Sequence, residues 1–254
     1  MGQLALLWDG TWLTWTTFES TAAAGRREIS SLSMVPEVLK ALRKQVDAGA
    51  SVVHAEWGRA ATVIPAALLD TPWSTEQVSS LHELHHGALS GQMQVNLHAL
   101  DVLEETPCLG IEGDAHWESA VNAVFPQARR VPLVHAMLHD AIVWNRKSDS
   151  NQGWTFRVDV RDEGAVMVGV DKESLQWIHH LPPGCTAEDV LYAMVNAAHR
   201  GGADVHASRV LWTGQESLTK GWHRFMSIVS LASHSDKDQA MTWWPLLQTM
   251  KTCG

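Results

Sequence analysis

The sequence predicts an α/β (α+β) protein of two related subdomains, each a mixed sheet with a β-meander and flanking helices. Three observations predict it. The stretch from Trp154 to Gly214 reads strand, strand, strand, helix, strand. The stretch from Leu4 to Trp57 repeats that order without visibly repeating the sequence. Between them NRKSDSNQG (145–153) has the polar, turn-forming composition of a linker, which places an N-terminal subdomain with insertions at 1–148 and a C-terminal one at 149–254.

In the second stretch, Trp154, Phe156, Val158 and Val160 alternate with Thr155, Arg157, Asp159 and Arg161. A period of two puts the first set on a buried face and the second on an open one. Asp162 to Gly164 turn the chain, Val166, Val168 and Val170 alternate again, and a third run follows at Leu175, Trp177, His179 and Leu181. Connections this short require an antiparallel meander. After Pro182-Pro183-Gly184 the period becomes helical: Thr186 can cap, Glu188 and Asp189 occupy the first turn, and Val190, Leu191, Met194 and Ala198 form a stripe. Val210 to Trp212 is a continuous apolar run, as in a strand buried on both faces. Meander, crossover helix and further strand is the core order of a ribonuclease H-like unit.

The first half opens with LALLWDGTWLTWTTF, in which Asp9-Gly10 between apolar runs signals a hairpin. Residues 20–27 read as a polar loop and Glu28 to Ser33 as a third strand. Pro36, Val38, Leu39, Leu42 and Val46 predict a helix, and Ser51 to Trp57 a strand. Ala61 to Leu69 reads as a strand entering a turn. Ser74 with Gln77 forms a capping box for a helix ending near His86. Strands are expected over Val95 to Leu103 and Thr106 to Ile111, a helix capped by Asp114, and another over Val131 to Val143. A helix over Glu216 to Ala232 and a short element over Thr242 to Met250 complete the chain.

Composition narrows the function. The 254 residues are 45% hydrophobic and carry a net charge of −9, which disfavours nucleic-acid binding. Three cysteines without paired spacing argue against a disulfide framework or a cysteine zinc site. No apolar stretch approaches a membrane span, and no signal sequence is apparent, so a cytoplasmic location is expected. Thirteen tryptophans against one tyrosine supply large core side chains or a partner-binding surface.

Two ribonuclease H-like halves are the plan of the actin-like ATPase superfamily. The order of segments resembles domain-of-unknown-function family 3822, an uncharacterised bacterial family with a degenerate actin-like fold. The similar segments are VIPAALLD (63–70), the strand near Thr106 to Ile111, VPLVHAMLHDAI (131–142), and above all 154–214 ending VLWTG. The resemblance implies a fold like that of pilus-assembly and cell-division members, and no known activity. It also implies where nucleotide would sit. Actin-like ATPases grip phosphates with two hairpins whose glycines admit backbone N–H groups and whose aspartates organise magnesium and water. Here the candidates are Asp9, Gly10 and Thr11, then Asp159, Asp162 and Gly164, with Trp212-Thr213-Gly214 approaching the adenine. The usual residue between Asp and Gly is missing from the first hairpin. Arg161 and Glu163 stand at the tip of the second, and a double glycine is missing at the third.

Other chemistries fare less well. HELHH matches the H-E-x-x-H zinc motif, with His82 and His86 one turn apart and Glu83 as base. Gly87 ends that helix at once, and Gln92 stands where a third histidine belongs. Only Glu104 or Glu105 could be nominated as third ligand, so the motif reads as a decoy and no metal is expected. A two-metal nuclease could draw on Asp159 and Glu188 or Asp189, but 209–212 bring no acid to the strand end. No nucleophile elbow supports a Ser-His-Asp hydrolase. Cys185 opens a helix without a catalytic partner, and adjacent His179 and His180 point to opposite faces. The resulting expectation is a pseudo-ATPase: a scaffold or interaction module without catalysis or cofactor, with a protein partner and the option of a homodimer through an open sheet edge or a Trp patch. ATP with magnesium is the alternative.

Overall fold

The computed structural model describes residues 2–17, 24–68, 73–103, 107–147, 153–213, 219–230 and 250. Contacts divide the chain into two compact units, 1–133 and 134–249, with Met250 belonging to the first.

The first unit is built on a five-stranded sheet of order β3-β2-β1-β4-β8. Strands β1 (Gln3–Trp8) and β2 (Trp12–Thr17) form the hairpin that Asp9-Gly10 predicts, and β4 (Ser51–Glu56) runs parallel to β1. Helix α1 (Val35–Arg43) makes the crossover, with Pro36 in its first turn and Val38, Leu39 and Leu42 buried. The third strand is β3 (Ala24–Glu28), inside the expected loop and not at 28–33. AGRRE has no apolar alternation to announce a strand; it forms because β2 offers an open edge, with Arg26 lying over the Trp12 ring and Gly25 against Trp15. Leu4, Leu6 and Trp8 meet α1 and helix α3 (Ala115–Val124), where Trp8 stacks on Trp117 at 5.7 Å. The inserted part is a three-stranded antiparallel sheet, β5 (Ala61–Ile64), β7 (Cys108–Asp114) and β6 (Met93–Ala99), packed against α2 (Thr75–His86). The Ser74–Gln77 capping box and the Asp114 cap both form as predicted. Strand β8 (Arg129–Arg130) is too short to leave a sequence signature.

The second unit repeats the order as β11-β10-β9-β12-β13. The meander is β9 (Thr155–Arg161), β10 (Gly164–Asp171) and β11 (Ser174–Leu181), followed by α5 (Ala187–Arg200) and by β12 (Arg209–Thr213), parallel to β9. Thr186 and Asp189 close a capping box on α5. Where a helix was expected over 216–232, the described residues form a 3-10 turn (Trp222–Arg224) and the strand β13 (Ser227–Ser230). Gly221 at φ +91° interrupts helical geometry, and the β-branched Ile228 and Val229 pair in parallel with the open edge of β12. The expected element at 242–250 lies outside the described residues except for Met250.

From Val134 on, helix α4 (Leu133–Lys147) falls in the second unit, and it runs into the segment 145–153 expected as a linker. Its bonds to β9 and the β10–β11 turn hold it there: Thr155 donates to Asn145, Asn145 donates to the Lys172 carbonyl, and Arg146 pairs with Glu173. The polar face of β9 is therefore not open. Thr155, Arg157 and Asp159 are all buried.

Candidate functional site

At the first hairpin, the turn at Asp9, Gly10 and Thr11 is held by its own carboxylate. Asp9 Oδ1 accepts from the Thr11 N–H (2.9 Å) and the Trp12 N–H (2.6 Å). Gly10 supplies the required φ of +99°. The Asp9 side chain is 1% exposed, and Arg26 faces its second oxygen at 3.8 Å. The two N–H groups are thus satisfied by Asp9 Oδ1, while the buried Oδ2 has no hydrogen-bond partner among the described residues.

The second hairpin is committed in a similar way. Buried Asp159 is bridged by Arg161, with Nη2 3.1 Å from Oδ2 and Nε bonded to Oδ1. Asp162 is exposed at the tip. Gly164 has φ +129°, and a Cβ there would stand 2.2 Å from the Leu181 carbonyl oxygen, so packing by β11 already demands glycine. Gly214 lies outside the described residues. The residue before it, Thr213, accepts from Arg157 Nη1. Arg157 is 0% exposed; it also donates to the Val158 carbonyl (2.9 Å) and pairs with Asp140 of α4 at 3.2 Å. Asp9 and Asp159, the carboxylates placed for magnesium, each face an arginine, Arg26 and Arg161, and Asp9 also accepts from local N–H groups.

The two HELHH histidines at 82 and 86 lie side by side but differ in burial. His82 is buried, its Nδ1 3.0 Å from Thr62 Oγ1 and its Nε2 3.1 Å from Glu112 Oε1, so it ties α2 to β5 and β7. That bond holds the Glu112 carboxyl below its ordinary range. His86 lies against His82, ring centroids 4.5 Å apart, but is exposed, and its pKa is lowered by partial desolvation and by His82. Glu83 accepts from the Leu89 N–H at 3.4 Å. Glu104 and Glu105 lie outside the described residues.

Two features carry no sequence motif. In the first unit, Glu56 at the end of β4 is buried and contacts Arg59 (2.8 Å), Arg130 (3.4 Å) and the Asp114 N–H (3.0 Å). Burial raises its carboxyl pKa despite both guanidiniums. Arg130 also pairs with Glu118, which Gln94 and Asn96 hold from β6. This network borders a cavity of about 260 Å³ reached by His54, Asn96 and Asn122. In the second unit, a groove of about 960 Å³ runs between β11 and α5. Only an acid closing an apolar strand at Glu56, or an uncharged outer strand at β11, could have hinted at either.

No family model matches the chain, and no curated protein matches it in sequence. Solved structures do. A Bacteroides thetaiotaomicron VPI-5482 protein with an actin-like ATPase fold and unknown function aligns over 97% of this chain and 95% of its own, at TM-score 0.70 and 14% identity. The chain has an actin-like ATPase fold. The PilM-PilN type IV pilus biogenesis complex aligns over 98% and 97% at TM-score 0.56 and 11% identity. The cytoplasmic domain of EpsL, an inner-membrane component of the Vibrio cholerae type II secretion system, aligns over 100% and 96% at 0.52 and 12%. Among the described residues, no helix of this actin-like chain is long and apolar enough to cross a membrane.

Proposed function

We propose that this chain is a non-catalytic, cytoplasmic scaffold of actin-like fold that binds a protein partner, and that it stands with domain-of-unknown-function family 3822. The observation that carries the reading is the state of the two hairpin aspartates: Asp9 caps its own turn and Asp159 is neutralised by Arg161. A magnesium ion would have to displace a buried ion pair at Asp159, and a phosphate would have to displace a carboxylate from the Thr11 and Trp12 N–H groups. Two similar folds, PilM and EpsL, occur in a biogenesis complex and a secretion system, which supports an assembly role.

The test is the melting temperature with and without millimolar Mg-ATP. No shift is expected. A rise that Asp9→Ala or Asp159→Ala abolishes would establish the alternative, an ATP-binding or weakly ATP-hydrolysing relative. Elemental analysis of untagged protein is expected to find no stoichiometric zinc, and zinc lost on His82→Ala would restore the H-E-x-x-H hydrolase reading.

A further inference from the structure

The cavity of about 260 Å³ in the first unit has a polar wall whose hydrogen bonding the fold leaves incomplete. His54 of β4 lines it and is 3% exposed. Neither of its ring nitrogens has a hydrogen-bond partner among the described residues. A neutral imidazole always carries one N–H, and burying that ring without a partner costs stability. Burial, then the Arg130 guanidinium, holds its pKa down to about 3, so the ring is uncharged at neutral pH. Only Nδ1 is closed off from solvent, which leaves Nε2 to meet whatever enters. An enclosed acceptor is less costly to orphan than an enclosed N–H, and this places the proton on Nε2.

The amide of Asn96, on β6, is half used. Its Nδ2 donates to Glu118 Oε1 at 3.2 Å, which fixes its orientation and leaves Oδ1 without a partner among the described residues. The exposed Asn122 of α3 makes no side-chain hydrogen bond among them. The charges that line the cavity cancel. Glu118 and Arg130 pair at 2.5 Å; Glu118 also accepts from Gln94, while Arg130 donates to the Glu112 carbonyl and faces Glu56. Neither is left over for an ionic ligand. His98 lines the cavity too, but among the described residues no three His, Cys, Asp or Glu converge to hold a metal. Leu97, 44% exposed, and Ile111 supply apolar wall. A water takes up about 30 Å³ of liquid, so a single bridging water fills little of this space.

We propose that this cavity binds a small neutral molecule with a carbonyl beside an N–H, the pattern of a cyclic amide such as a pyrimidine base. The carbonyl accepts from His54 Nε2–H and the N–H donates to Asn96 Oδ1. Asn122, with a donor and an acceptor of its own, meets a further polar group of the ring. The site lies wholly within the first unit and goes beyond the scaffold reading.

The experiment titrates the full chain, carrying ¹³C-labelled histidine, with three probes and follows the ring resonances by NMR. The probes are uracil, 1,3-dimethyluracil, which has lost its N–H groups, and orotate, the same ring with a carboxylate. The His54 resonance is assigned by its loss in His54→Gln. Uracil is expected to shift it with about millimolar affinity, the strength open to so small a ligand. Dimethyluracil is expected to bind at least about fivefold more weakly, the worth of one hydrogen bond, and orotate more weakly than uracil. Asn122→Ala, a change at an exposed position, is expected to weaken uracil several-fold. A His54 resonance unmoved at saturating uracil overturns the proposal and leaves the cavity to water. So does equal binding of all three probes, because the cavity then reads neither the N–H nor the charge. The Mg-ATP melting experiment decides the non-catalytic reading separately, so failure of uracil to bind removes only this site.

Discussion

Buried His54 makes the stability of the first unit depend on pH in a way that can be isolated. It lies on β4, 3% exposed, with its ring edge against Trp117 at 6.1 Å and the Arg130 guanidinium nearby. Desolvation, then Arg130, lowers its pKa from 6.5 to about 3. The folded pKa lies below the unfolded one, so the unfolded chain takes the proton first. Stability is full above pH 6.5 and is lost as pH falls toward about 3. At about 1.4 kcal/mol per unit, the loss between pH 7 and pH 5 is about 2 kcal/mol from this residue. Other histidines add their own contributions, so the comparison must be with His54→Gln, which cannot titrate. Urea unfolding followed by tryptophan fluorescence at pH 7 and pH 5 gives the two free energies for each protein. The variant is expected to lose about 2 kcal/mol less on acidification than the native chain. Equal pH dependence in the two would refute the placement of His54 as a neutral, desolvated side chain.

Removing Asp140 leaves the fully buried Arg157 guanidinium without its carboxylate. Asp140→Ala is expected to cost about 3 kcal/mol by chemical denaturation, while Arg157→Met with Asp140→Leu recovers most of that loss; a double variant no better than the single one would contradict this. Gly164→Ala drives a methyl toward the Leu181 carbonyl and is expected to lower stability by at least about 2 kcal/mol, read as a lower melting temperature, whereas Gly184→Ala, open on all sides, costs less. His82→Ala removes the bridge from Thr62 to Glu112 and is expected to cost about 2 kcal/mol. Because the Glu112 carboxyl is held below 4.5 chiefly by that hydrogen bond, its contribution is present above pH 4.5 and lost as pH falls through the lower folded value. Acid unfolding curves of the variant should lack this component.

What the sequence determined by itself is local. The period-two runs at 154–181, the capping residues Ser74, Asp114 and Thr186, and the Asp9-Gly10 turn each contain the whole reason for their structure within a few residues. These sufficed for two copies of one strand order, and so for the fold class. The tertiary structure decided everything that depends on an open edge or a distant partner. AGRRE became a strand because β2 had an unpaired side, and 227–230 became a strand because β12 had one. Arg157 and Asp159 are buried because α4 and Arg161 supply counter-charges that strand alternation cannot reveal. The candidate site follows the same division: the positions of Asp9, Asp159 and Gly164 were legible as hairpin residues. What faces the Asp9 and Asp159 carboxylates, Arg26 and Arg161, was set by folding.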